Sequence, residues 1–95
     1  MTDLELTKAC AEKMGFDYAI ERSRFGIDAV YLRLEGENGY YHLYEPIHND
    51  AQMVAIVKKF GIKLEKFDGS GRWLAGAYSW NTDLNRAVCE CVAKL

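Results

Sequence analysis

The sequence predicts an α+β fold, in which a mostly antiparallel five-stranded sheet lies between helices in a three-layer α/β/α sandwich. Three observations predict it. Asn38-Gly39 separates two β-rich runs, which is the strongest short-range signal of a hairpin. The segment 50–60 has apolar residues at helical spacing. The run 72–78 is apolar on both sides, which is typical of an interior strand covered on both faces.

The first half of the chain begins with a helix that we predict over residues 3–14. Thr2 and Glu5 have the spacing of a capping box, in which the threonine hydroxyl accepts a hydrogen bond from an unpaired backbone N–H of the first turn and the Glu5 side chain reaches back to the cap. Gly15 closes the helix in the left-handed conformation. A short strand with alternating apolar residues follows at 16–21, before the central hairpin.

The second half begins where Pro46 ends the hairpin, because proline cannot extend a central strand. Asn49 or Asp50 caps the second helix, and Gly61 ends it. The next strand is predicted from Ile62.

A glycine-rich turn at 68–71 joins this strand to the fifth strand at 72–78. Asn81 or Thr82 caps the last helix. The order α-β-β-β-α-β-β-α fills a single domain of residues 1–95.

The hairpin has two different faces if Asn38-Gly39 is its two-residue loop. The register then places Glu35 opposite His42. The inner face carries Val30, Leu32, Leu34, Tyr41 and Leu43. The outer face carries Arg33, Glu35, Tyr40, His42 and Tyr44. Tyrosine and arginine are enriched in interface hot spots, so this outer face is the candidate protein-binding surface. The alternative is that a helix covers it.

The charge of the chain argues against a general nucleic-acid-binding protein. The formal net charge is −2 and the pI is near 5.6, whereas such a protein needs a basic excess to displace phosphate counterions. A local basic patch with nearby aromatic rings as stacking platforms is the alternative nucleic-acid site. Its residues are Arg22, Arg24, Lys58, Lys59, Lys63 and Lys66.

Catalytic and metal-binding patterns are weak. Cys89 and Cys91 are two residues apart, and on a helix they point about 200° away from each other, so they cannot close on one metal ion. No nucleophile elbow, phosphate loop or dinucleotide fingerprint occurs. We therefore expect no enzyme activity, no metal and no cofactor. A small enzyme or ligand sensor with a pocket near His42 or His48 is the weaker alternative.

The N-terminal residues are acidic, and no apolar run approaches the ~20 residues that a membrane span needs. Cys10, Cys89 and Cys91 are an odd number without the spacing of a disulfide scaffold. Both observations favour a cytoplasmic protein that does not bind membranes.

Two stretches, Glu45–Gly61 and Asn81–Cys89, carry a resemblance to a known family. The first has a Pro-centred turn before a helix that opens with an acidic residue, and the second contains Arg-Ala in the last helix. With the order of the elements, the chain resembles the phage ABA-sandwich domain family. It departs from that family's Asn-Pro-Leu turn, because it has Glu45-Pro46-Ile47. The resemblance implies a three-layer sandwich and a phage or prophage origin, and it implies no catalytic residue.

These observations together lead us to expect a non-enzymatic phage or prophage accessory protein in the cytoplasm of a bacterial host. It would bind a host or phage protein and would inhibit a defence complex in the manner of an anti-CRISPR protein, since an acidic surface complements a basic nucleic-acid channel. Exposed aromatic residues or a sheet edge also favour a homodimer.

Overall fold

The computed structural model describes residues 2–22, 25–66, 72–76, 79–81 and 83–95, and at 79 and 80 only the backbone. The helices are α1 (Asp3–Met14), α2 (Asp50–Phe60) and α3 (Leu84–Ala93). The strands are β1 (Tyr18–Arg22), β2 (Asp28–Leu32), β3 (His42–Tyr44), β4 (Leu64–Lys66), β5 (Trp73–Ala75) and β6 (Ser79–Asn81). The predicted turn at 68–71, the cap at Thr82 and the end of the predicted fifth strand at 77–78 lie outside the described residues.

The fold is α+β, but the prediction of one five-stranded sheet in a three-layer sandwich is not confirmed. The described strands form two antiparallel sheets of three strands each, in the orders β1-β2-β3 and β4-β5-β6. The fifth predicted strand is shorter than expected because Gly76 adopts a positive φ of 63° directly after β5. The chain then continues as a separate strand, β6, beside β5.

The three predicted helices are confirmed, as are the ends of α1 and α2, because these ends depend on local signals, whereas the predicted N-cap of α3 at Asn81 is wrong. α1 begins after Thr2, whose hydroxyl accepts a hydrogen bond from the Glu5 N–H at 3.2 Å, and it ends at Gly15. α2 begins after Asn49 and ends at Gly61. Asp83, the N-cap of α3, comes after both predicted candidates. The Asn81 side chain instead accepts a hydrogen bond from the Asp83 N–H at 2.9 Å.

The predicted two-residue turn of the central hairpin is wrong. Asn38 and Gly39 do not have positive φ values, and the chain reverses earlier, where the Glu37 N–H donates to the Leu34 carbonyl at 3.1 Å and Gly36 has a φ of 86°. Gly39 serves close packing instead, because a Cβ atom there would lie 2.8 Å from the Tyr41 hydroxyl. The loop between β2 and β3 therefore spans residues 33–41.

This longer loop shifts the strand register by three residues, so that Val30 pairs with Tyr44 and Leu32 with His42. A shift by an odd number exchanges the faces of β3. Tyr44 therefore packs in the core at 3% exposure, whereas Leu43 lies on the open face at 42% exposure. The predicted inner face, with Leu43 beside Val30, is wrong for this reason.

The core is formed where α1 packs against α3, with β2 and β3 on one side and β5 on the other. The side chains of Leu6, Cys10, Val88, Cys89 and Val92 are completely or almost completely buried there. The Cys10 thiol donates to the Cys89 carbonyl oxygen at 3.8 Å. At the N-terminal end of α1, Asp3 forms an ion pair with Arg86 of α3. The small cysteine side chains allow the two helices to approach closely.

The Pro-centred turn is tied to α3 by one buried side chain. The Asn85 amide donates to the Pro46 carbonyl oxygen and to the Asp50 carboxylate, each at 3.0 Å. Because Asp50 opens α2, these bonds fix the turn and the start of α2 on α3. A buried polar group is tolerated when its hydrogen bonds are satisfied, as they are here.

Gly76 allows the second sheet to lie close to α3. A Cβ atom at this position would lie 2.8 Å from the Cys91 Sγ atom, and the Gly76 N–H donates to the Lys63 carbonyl at 2.9 Å. The half-buried Cys91 thiol therefore packs beneath the turn after β5. Gly61 has nearly the same φ of 62° but open space around its Cβ position, so the two glycines differ mainly in this contact.

Replacing Gly76 with alanine should therefore destabilise the protein more than replacing Gly61. We expect Gly61→Ala to cost about 1–2 kcal/mol, the strain of a left-handed residue with a Cβ atom. Gly76→Ala should cost a further ~1–3 kcal/mol from overpacking against Cys91. Urea unfolding of both variants measures the difference. Equal losses would contradict the close approach of α3 and the turn.

Tyr44 gives a second stability test. Its hydroxyl is buried and has no hydrogen-bond partner among the described residues, and burial raises the pKa of this hydroxyl. Because an unsatisfied buried hydroxyl is costly, we expect Tyr44→Phe to raise the free energy of unfolding by about 1 kcal/mol. The control is Tyr18→Phe, which removes a hydroxyl that donates to Glu12 at 2.5 Å and should not stabilise. A loss of stability in Tyr44→Phe would contradict the orphaned hydroxyl.

Candidate protein-binding surface

Asp17 organises the candidate surface. It lies just before β1, and the Arg33 N–H donates to its carbonyl oxygen at 3.0 Å, which continues the pairing of β1 with β2. The Asp17 carboxylate accepts from the Arg33 Nε atom at 2.7 Å and from the Tyr40 hydroxyl at 2.9 Å. The Arg33 guanidinium also lies over the Tyr40 ring, 5.8 Å from its centre. One carboxylate therefore holds both ends of the 33–41 loop.

The electrostatics follow from these contacts. The hydrogen bond from Tyr40, and then the contact with Arg33, lower the pKa of the Asp17 carboxyl below its ordinary value. The same hydrogen bond to Asp17 raises the pKa of the Tyr40 hydroxyl. Asp17 is therefore ionised, and Tyr40 is protonated as the donor, at neutral pH.

A cleft of about 370 Å³, lined by both apolar and charged side chains, includes this ion pair. Its exposed apolar side chains are Phe16, at 38% exposure, and Leu34, at 54%. The Phe16 ring also meets the Tyr44 ring edge-on, with ring centres 5.4 Å apart, so its position is fixed from beneath. We call this region the Arg33 surface, and it consists of Phe16, Asp17, Arg33, Leu34, Glu35 and Tyr40.

The structure brings three of the five predicted surface residues together. Arg33, Glu35 and Tyr40 belong to the Arg33 surface. His42 is exposed, and its ring nitrogen lies 2.7 Å from the Glu37 carboxylate. Its predicted place opposite Glu35 is wrong, because His42 pairs with Leu32. Tyr44 lies in the core, because the strand register differs from the predicted one.

The sequence interpretation missed Phe16, Asp17 and Leu34 as surface residues. The alternation of 16–21 assigned Phe16 to a strand, and the register of the Asn38-Gly39 hairpin assigned Leu34 to its inner face. Asp17 is 16 residues from Arg33 and 23 from Tyr40, and no local spacing connects them. In the sequence, Phe16 and Leu34 each stand next to a charged residue near the end of a strand. Recognising that the two side chains share one surface requires the correct strand register.

The predicted basic set is engaged in separate local contacts, and its Arg24 lies outside the described residues. Lys59 donates to the Met14 carbonyl oxygen at the end of α1, at 2.6 Å. Lys63 forms an ion pair with Glu65, and Lys66 lies over the Trp73 ring. Arg22 forms an ion pair with Asp28. Lys58 is exposed at the end of α2. The nucleic-acid interface stays a prediction.

The other candidate residues are placed as follows. His48 lines a cleft of about 430 Å³ between the start of α1 and the strands β2 and β3, and a ligand pocket there stays a prediction. Cys10 and Cys89 are buried, and the neighbouring Cys10 side chain and then burial raise the pKa of the Cys89 thiol. Within the described ranges, three or more metal-ligating side chains do not come together anywhere.

Comparison with known proteins assigns no family to this arrangement. No protein-family model, curated protein or solved structure matches the chain. In the part of the chain that the structure describes, every helix is too short or too polar to cross a membrane.

The Asp17 contacts predict a pH dependence. Because the folded-state pKa of Asp17 lies below the ordinary value of 3.8, its stabilisation is present above that pH. It is lost as the pH falls through the lowered pKa. We expect the melting temperature of the unsubstituted chain to exceed that of Asp17→Asn at pH 7, and the difference to shrink towards zero in acid. A difference that does not change with pH would show that the Asp17 charge does not hold the loop.

Proposed function

We propose that this chain is a non-enzymatic accessory protein that acts by binding another protein through the Arg33 surface. The observation that carries the proposal is the exposed apolar pair, Phe16 and Leu34, beside an arginine and a tyrosine that Asp17 already holds in place. Arginine and tyrosine are the residue types that dominate hot spots, and an apolar centre with a polar rim is the usual anatomy of an interface.

Preorganisation supports the same proposal. An arginine side chain loses rotamer freedom when it is immobilised in a complex, and this loss weakens binding. Here the guanidinium is fixed before binding by Asp17 and by the Tyr40 ring. Exposed ion pairs contribute little to folding stability, so binding accounts for this arrangement better than stability does.

The kind of partner is inferred from charge. Asp17, Glu35 and Glu37 place three carboxylates at this end of the molecule, against the Arg33 guanidinium and the Lys59 ammonium at the end of α1. Such a surface complements a basic protein surface, including the nucleic-acid channel of a defence nuclease. A phage or prophage origin and membership of the phage ABA-sandwich family belong to the same proposal. Both rest on the resemblance and on the order of elements. The division of the strands into two sheets departs from the single three-layer sandwich that the resemblance implies.

The test compares two matched substitutions. Leu34→Glu places a charge in the cleft, and Val54→Glu makes the same change on α2, where Val54 is 42% exposed. The tagged chains are used to capture proteins from a nuclease-treated bacterial lysate, and the retained protein is identified and titrated by calorimetry. We expect Leu34→Glu to weaken binding at least ~10-fold, the cost of losing a central contact worth about 1.4 kcal/mol or more.

Val54→Glu should bind as the unsubstituted chain does. Equal affinities of both variants for the identified protein would refute the assignment of the surface. Retention of nucleic acid alone in a parallel sample without nuclease, with elution by moderate salt, would instead favour the basic residues as the binding site.

A further inference from the structure

The outer edge of β1 presents unpaired backbone groups. The bond from the Arg33 N–H to the Asp17 carbonyl shows that the backbone groups of Asp17 point towards β2. In an antiparallel pair, the direction of these backbone groups alternates from one residue to the next. The N–H and C=O groups of Tyr18, Ile20 and Arg22 therefore point away from β2. Among the described residues, none of these groups has a hydrogen-bond partner, and β2 is the element against which β1 packs.

The opposite edge of the same sheet is closed. The Gln52 side chain of α2 donates to the Leu43 carbonyl at 3.0 Å and accepts from the Glu45 N–H at 2.8 Å. Its amide therefore bonds to the Leu43 carbonyl and the Glu45 N–H as a neighbouring peptide unit would. Pro46 follows and ends the edge. The first sheet thus has one closed edge and one open edge.

The open edge has only part of the usual protection against pairing. Proteins protect edges with short strands, charged side chains, prolines or bulges, and the charged residues of β1 are Glu21 and Arg22 at its end. β1 is five residues long and contains neither proline nor a bulge in its pairing with β2. Ile20, at its centre, is 43% exposed on the face that carries Val30.

We propose that two copies of this chain associate by antiparallel pairing of their β1 strands about a twofold axis at Ile20, which joins their first sheets into one six-stranded sheet. In this register Ile20 pairs with Ile20 of the second copy, and Tyr18 pairs with Arg22 of the second copy. All three outward-facing residues are then hydrogen-bonded in each copy.

The side chains fit a second copy of the chain in this register. The two Ile20 side chains meet at the axis, and each Arg22 lies beside a tyrosine ring, a favourable neighbour for a guanidinium. Glu21 lies opposite Ala19, so no like charges are directly opposed. A register shifted by one pairing step would place Glu21 opposite Glu21 or opposite Asp17, and like charges oppose such pairing. The strand is therefore complementary to itself in one register.

This proposal goes beyond the proposed function and uses a different part of the molecule. Its test is the mass in solution, measured by light scattering over a concentration series. We expect the mass to rise towards twice the 10.8 kDa of one chain. A chain that remains a monomer throughout would overturn the proposal, and the edge would then be free for an extended segment of another protein.

Substitutions at Ile20 test the register. Ile20→Pro removes no hydrogen bond within the chain, because this N–H points outward, but it removes both bonds of the central pair. The dissociation constant of the dimer should increase about tenfold or more. Circular dichroism and thermal melting show whether the variant is folded.

A charge pair decides the question even if Ile20→Pro does not fold. Ile20→Lys and Ile20→Glu each place like charges together at the axis, so each variant alone should be a monomer, and an equal mixture should form a dimer. Val54→Glu introduces the same charge as Ile20→Glu on α2, away from β1, and it should leave the dimer intact. A dimer that persists in Ile20→Lys, or a mixture that stays monomeric, would overturn the twofold pairing at Ile20.

Discussion

The structure depends on the close packing of α1 against α3. The first sheet packs on α1 and the second on α3, and no described strand of one sheet pairs with a strand of the other. The contact between α1 and α3 therefore joins the two sheets, together with the bonds from Asn85 of α3 to the Pro46 turn and the start of α2. It is close because Cys10, Ala11, Ala87 and Cys89 place small, fully buried side chains at the junction. A larger side chain at any of these positions would separate the sheets as well as the helices.

The Arg33 surface derives its geometry from the end of α1. Gly15 ends the helix, and Phe16 and Asp17 follow directly, so the helix end fixes where the apolar ring and the carboxylate lie. Lys59 of α2 holds the same helix end through the Met14 carbonyl. Asp17 then positions Arg33 and Tyr40. The exposed ion pair is thus supported by buried structure, which explains how a loop of residues 33–41 presents an ordered surface.

The sequence predicted local features well and long-range features poorly. The caps Thr2 and Asn49 and the glycine ends of α1 and α2 need only neighbouring residues, and each was predicted. The hairpin register was not predicted, because the reversal at Gly36 competes with the stronger turn signal of Asn38-Gly39, and the bonds of Asp17 to distant residues decide between them.

The same limit applies to the candidate site and to the sheets. Arg33, Glu35 and Tyr40 were identified by residue type, but the apolar half of the surface depended on the register. The early end of the predicted fifth strand follows from the backbone at Gly76, and an apolar pattern on both faces of a strand does not reveal such a break.

The closed edge at β3 determines how far association of this chain can proceed. A sheet that is open at both edges adds copies without limit and leads to fibres, whereas a sheet that is open at one edge is complete after a single pairing. Because Gln52 occupies the Leu43 carbonyl and the Glu45 N–H, the proposed pairing of β1 strands would leave the dimer without a second free edge at β3 for a further copy. One glutamine on a neighbouring helix would then limit association through the first sheet to two copies.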